Sequence, residues 1–163
     1  MKSKKSQIGE VFVYLISTLI IILVLYYGYT AVASISQKQE QLSLVKFQKI
    51  IGDTIVYTSS DYGTVRIENF NVPSKIKQVC FVDKNLIAMG NATPINESQY
   101  PIIFNSVKDS VNINVFPVPE GTPFYVDKMW VEENSGFKCF DVIQGNIKVK
   151  IEGFGDRAKI SSP

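Results

Sequence analysis

The chain has 163 residues, with 17 Lys and Arg, 15 Asp and Glu, and no His. Its length allows an anchor and one modest domain, and its near-balance of charge leaves neither a basic stripe for nucleic acid nor an acidic tail. The missing imidazole removes the commonest general base and the commonest transition-metal ligand.

Residues 1–10 read as a basic leader carrying Lys2, Lys4 and Lys5, with Glu10 as its one acid. Residues 11–33, VFVYLISTLIIILVLYYGYTAVA, contain no charge. As a helix this run covers roughly 35 Å, enough to cross a hydrocarbon core of about 30 Å. A buried central helix is the bland alternative, but Ile20 to Leu25 leave no polar face for water. Tyr14 at one end and Tyr26, Tyr27 and Tyr29 at the other suit the two membrane interfaces. The positive-inside rule puts the N-terminus in the cytoplasm and residues 34–163 outside, on a single-pass cell-membrane topology. A removable secretion signal is the rival, with Ala31-Val32-Ala33 as a small-x-small site before Ser34. The apolar core of such a signal is shorter, at about 7–15 residues.

Residues 34–58 continue the helix with an amphipathic pattern. Leu44, Phe47, Ile51 and Ile55 make one apolar stripe, which Val45 and Ile50 broaden. Gly52-Asp53 or Thr58-Ser59-Ser60 would end it. Such a helix implies two solvents: the first half faces lipid or sister helices, and the second packs one face on its own domain.

Residues 59–163 turn to short β-rich runs. Strands are expected near Thr64–Phe70, Ile76–Val82, Ile102–Phe104, Val111–Val118, Phe124–Val131, Phe137–Ile143 and Ile147–Glu152. Gly145-Asn146 reads as a hairpin turn joining the Cys139 strand to the next one. Pro117, Pro119 and Pro123 bracket Glu120-Gly121 as an exposed corner. The expected fold class is α+β: a long N-terminal transmembrane helix followed by an antiparallel β-sheet extracytoplasmic domain, with the helix laid against it.

Cys80 and Cys139 are the two cysteines, each followed by Phe in an apolar, strand-like run. Outside the cytoplasm such a pair is expected to form a disulfide; two buried thiols are the alternative. Asn91-Ala92-Thr93 and Asn96-Glu97-Ser98 both match the N-glycosylation acceptor, and Pro94 follows the first. The sequence holds no glycine-rich phosphate loop, nucleophile elbow or CxxC. Asp83, Asp127, Glu132, Glu133 and Asp141 lie near expected strand ends, where solvated charges are ordinary. No catalytic residue, metal ligand or cofactor is expected. Glu10, one residue before the apolar run, either rests among head groups near Lys4 and Lys5 or meets a partner from another subunit.

The N-terminal Lys4-Lys5-Ser6-Gln7-Ile8-Gly9-Glu10-Val11-Phe12 resembles the class III signal peptide of archaeal type IV pilin-like membrane proteins. That resemblance implies cleavage on the leader side of the helix, retention of the helix, and its bundling into a filament core. Cleavage between Lys5 and Ser6 makes Glu10 the fifth mature residue; cleavage before Gln7 makes it the fourth. Lys5 or Ser6 then stands where the family has Gly or Ala. The resemblance also implies that Glu10 pairs with a new amino terminus.

Together these readings describe a non-enzymatic, single-span surface protein, a pilin-like subunit or accessory component of an extracytoplasmic filament or assembly. Its expected partners are the membrane and, through the N-terminal helix, copies of itself or envelope and pilus-system proteins. The alternative is a membrane-anchored binding or sensing module, or a cell-envelope accessory, that does not polymerise. A membrane-tethered enzyme is a further rival without a visible site.

Overall fold

A computed structural model describes residues 4–131 and 136–163, with side chains described at 11–32, 39, 41–131 and 136–163. The chain divides into two compact units, Met1–Gln41 and Leu42–Pro163.

The first element, α1 (Lys4–Ser60), is one helix of 57 residues. Within the second unit, α1 contributes Phe47, Ile51 and Ile55 to a buried cluster, with Leu44 packed at its margin. The 3.6-residue period puts these positions on one face. Val45 and Ile50, expected to widen the stripe, are instead exposed; they lie round the helix from the seam. The helix ends at the second of the two predicted stops, Thr58-Ser59-Ser60.

Among the described residues, seven strands and two short helices follow: β1 (Val65–Asn71), β2 (Ile76–Val82), α2 (Lys84–Ala88), α3 (Pro101–Lys108), β3 (Val115–Pro119), β4 (Met129–Val131), β5 (Phe137–Asp141), β6 (Asn146–Gly153) and β7 (Ala158–Ser161). They form two sheets, β1-β6-β7-β4 and β3-β2-β5. The fold is α+β, as expected, and its sheets are mostly antiparallel; the exception is β4, which runs parallel to β7.

Strand β2 is buried on both faces. Val79 and Phe81 enter the cluster containing the α1 stripe, and Cys80 and Val82 enter a second one with Ile87, Ile103, Val107 and Phe116. A continuous apolar run is what a strand between two cores requires. Ile147, Val149 and Ile151 of β6 are fully buried and alternate with charged residues, as the sequence pattern implies.

Three sequence expectations are corrected. Ile102–Phe104 is helical: Pro101 occupies the first turn of α3, and Ile103 and Val107, four apart, bury one face. The Val111–Val118 strand begins only at Val115, because the buried Asn114 amide turns inward, donating to Val126 O at 2.7 Å and accepting from Val126 N–H at 2.8 Å. The Phe124–Val131 strand shrinks to Met129–Val131, leaving Phe124 in an isolated bridge to Val115.

The expected turn after Cys139 forms, but not as a hairpin between ladder partners. Ile143 and Asn146 exchange backbone hydrogen bonds of 2.9 and 3.0 Å across Gln144 and Gly145, both at positive φ. That is the pattern of a type I′ turn. The chain then leaves the β5 sheet and enters the other one as β6.

At the far end of β6, Gly153 lies against the end of α1. A Cβ there would collide with the carbonyl oxygens of Thr58 and Asp61. Gly153 N–H donates to Thr64 O, and its carbonyl accepts from Gly63 N–H, both at 2.9 Å. The missing side chain lets sheet and helix end approach this closely.

Three outcomes follow from this packing, each readable by chemical denaturation. Ile51→Ala, at a position with no exposure, is expected to cost about 3 kcal/mol. Ile50→Ala, beside it but 55% exposed, is expected to change stability by less than about 0.5 kcal/mol. Gly153→Ala is expected to cost about 2 kcal/mol through forced displacement of the Thr58–Asp61 backbone.

Candidate functional site

The longest apolar feature is Val11–Val32, 22 residues of α1. Each of its side chains is exposed. Its Ser and Thr hydroxyls are turned onto the helix itself. Ser17 Oγ donates to Val13 O at 2.7 Å, Thr18 Oγ1 to Tyr14 O at 2.8 Å, and Thr30 Oγ1 to Tyr27 O at 3.0 Å. The segment thus satisfies these polar groups without water, and a helix does the same for its backbone. It meets the length and composition of a candidate membrane span, as a retained anchor or a signal sequence would.

Lys5, Ser6, Gln7 and Glu10 lie on the first turns of α1, where the backbone is helical. Their side chains fall outside those described, so the structure leaves the expected processing and pairing contacts unaddressed.

Cys80 and Cys139 are joined in a disulfide between adjacent antiparallel strands, where they stand directly opposite one another. The bond closes a loop over a sequence separation of 59. Phe81 and Phe140, the residues after each cysteine, pack edge to face with ring centroids 5.6 Å apart. The bridge and the ring pair therefore brace β2 and β5 on opposite faces, since neighbouring side chains alternate.

Both sequon asparagines are exposed, while Ala92 and Ile95 between them are buried. The apolar pair pins the loop and leaves Asn91 and Asn96 facing solvent. Asn91 Oδ1 accepts from Thr93 Oγ1 at 2.7 Å, and Asn96 Oδ1 accepts from Ser98 N–H at 3.0 Å.

Of the acids seen in the sequence, Asp83 and Asp127 line one hollow and Asp141 lines another. Asp83 caps α2, accepting from Asn85 N–H at 2.7 Å, and its other oxygen accepts from Val131 N–H at 3.3 Å. It is buried because it ties α2 to β4. Asp127 accepts from the Tyr125 hydroxyl, and Asp141 accepts from Gln78, which in turn accepts from Tyr100. Glu132 and Glu133 lie outside the described residues. Among the described residues, no three His, Cys, Asp or Glu gather where they could hold a metal.

Hollows mark the surface of the domain. An apolar one of about 150 Å³ lies between Tyr100–Ile103 and the proline corner at Phe116–Pro119. A more polar one of about 240 Å³ is lined by Asp83, Asn114, Asp127 and Arg157. These two are below the roughly 300 Å³ at which small-molecule sites begin, whereas a third, of about 360 Å³ and lined by Asn69, Asp141, Ile143, Gln144, Asn146 and Lys148, is above it. Sequence reading missed the second, since its residues come from four separate segments and carry no shared motif.

The disulfide is expected to contribute about 4 kcal/mol in the chain-entropy model. A Cys80→Ser, Cys139→Ser double variant compared with the oxidised protein in urea measures it directly.

Comparison with known proteins returns no match: no family model, no curated protein and no solved structure matches this chain.

Proposed function

We propose that this chain is a non-enzymatic, single-span surface protein, a pilin-like subunit or accessory component of an extracytoplasmic filament or assembly. One observation carries the reading. Val11–Val32 is long enough to cross a bilayer, exposes every side chain, and bonds its Ser and Thr hydroxyls to its own carbonyls. A helix with those properties is suited to lipid or to other apolar helices. Support also comes from the disulfide, a bond that persists in oxidising compartments. In this reading the N-terminus stays in the cytoplasm and the domain from Leu42 onward stands outside.

Self-association then runs through the anchor. Gly28, Ala31 and the β-branched residues of the span let helices approach closely with no polar group stranded. Processing beside Lys5, Ser6 and Gln7 leaves Glu10 near a new amino terminus, where a neighbour's ammonium offsets the cost of a carboxylate at the membrane. Asn91 and Asn96, on the solvent face of the head, are glycan acceptors. The alternative, an anchored binding or envelope module, shares the anchor and head but does not polymerise.

N-terminal mass spectrometry of protein extracted from membranes is expected to find Ser6 or Gln7 as the first residue. An intact Met1 would leave a plain anchor, and a start at Ser34 would mean a released domain. Glu10→Gln is expected to lower the assembled fraction by about tenfold or more, measured by sedimentation of detergent-solubilised membranes. Unchanged assembly in that variant would remove the pairing role.

A further inference from the structure

Four strands sit at sheet edges: β1 and β4 in one sheet, β3 and β5 in the other. Exposed edges invite pairing with another chain, and proteins blunt them with prolines, short length or outward charge. Three of the four are blunted in this way. β3 contains Pro117 and Pro119, β4 has three residues, and β5 has five with Lys138 among them. β1 has seven residues, no proline, an unbroken register against β6, and charges of opposite sign, Arg66 and Glu68, that cancel.

The hydrogen bonds flanking β1 show which of its backbone groups are spoken for. Gly153 N–H donates to Thr64 O, and Val72 N–H donates to Gly145 O. In an antiparallel ladder such bonds recur at every second residue, so even-numbered residues of β1 turn their backbone groups to β6. Val65, Ile67 and Asn69 turn theirs to the open edge. No described strand pairs there. On the outer face Val65 is 52% and Ile67 is 63% exposed.

The order of charges selects an occupant. Arg66 and Glu68 flank Ile67 on the other face. In an antiparallel pairing of β1 with β1 of a second copy, centred on Ile67, Arg66 of each copy stands opposite Glu68 of the other. The same register pairs Ile67 with Ile67 and Val65 with Asn69, and these are the residues whose backbone groups are open. Centring the axis on Arg66 or on Glu68 sets like charges face to face, which destabilises a strand pair. Backbone direction and charge thus choose the same register.

We infer that β1 is a self-complementary docking edge, through which two copies of this chain join their four-stranded sheets into one of eight strands about a two-fold axis at Ile67. The contact is isologous and closes on itself. It is distinct from any association through the apolar helix.

Cross-linking of the full-length protein in detergent tests it. Copies carrying Val65→Cys are mixed with copies carrying Asn69→Cys and treated with a short thiol-specific cross-linker. The mixture is expected to give a covalent dimer. Val65→Cys alone is expected to give none, because the two sites then lie roughly 14 Å apart along the strands. In this cysteine background, R66E and E68R are each expected to shift the concentration for half-maximal cross-linking upward about tenfold. The double reversal R66E/E68R is expected to restore it, which a folding defect from either change would not. A mixture that does not cross-link overturns the pairing and leaves the edge to a strand of a different protein. Cross-linking insensitive to the single reversals, or not restored by the double one, overturns the register.

Discussion

The head depends on the seam where α1 lends it three side chains. Phe47, Ile51 and Ile55 share one buried cluster with residues from each of the strands β1 to β7. Fully burying each contributes about 1.5–3 kcal/mol, a large part of the margin by which a domain of this size is stable. The helix is therefore a component of the head's core, and its Leu42–Ser60 portion belongs to the same compact unit as the sheets.

The two sheets are held as one body by a few residues that serve both. β2 divides its side chains between two cores, and Asp83, one residue beyond it, binds α2 and β4 through its two carboxylate oxygens. Asn114 performs the same service opposite Val126, its amide standing in for a stretch of ladder. Each of these buried polar groups is satisfied by backbone partners, so it specifies an arrangement without leaving a polar atom stranded. Lys159 and Glu152, 3.1 Å apart on β7 and β6, add a partly buried ion pair to the outer face.

What could be read from sequence was what repeats at a fixed period. The α1 stripe, the strand-borne cysteines and the alternating Ile147-Lys148-Val149-Lys150-Ile151 all carry their geometry in their spacing. The misreadings fall where a local cue outranks composition. Ile102-Ile103-Phe104 has strand-like residues, yet the preceding proline starts a helix. β7 offers only Ala158-Lys159-Ile160-Ser161, too short to show a pattern, and its parallel pairing with β4 depends on distant partners. Asn114 sits where alternation points outward and goes inward, because only the three-dimensional position of Val126 gives its amide a use. At the candidate sites, the sequons and the Lys5-to-Glu10 stretch were legible as motifs. The charge order Arg66-Ile67-Glu68 was equally visible but meant nothing until β1 proved to be an unblunted edge.

The placement of the disulfide bears on the order in which the head assembles. Asn71 and Asn146 are partners at one end of the β1–β6 ladder, although 75 positions separate them in the chain. Cys80 lies nine residues after the first and Cys139 seven before the second. Once the sulfurs have joined, the path between the two strands no longer runs round the excursion through α2, α3, β3 and β4. Shortening a closure of that length by roughly fourfold lowers its entropic cost by about 1 kcal/mol. The bridge thus acts as a shortcut as well as a brace: oxidation of the inner loop brings together the two strands that frame it.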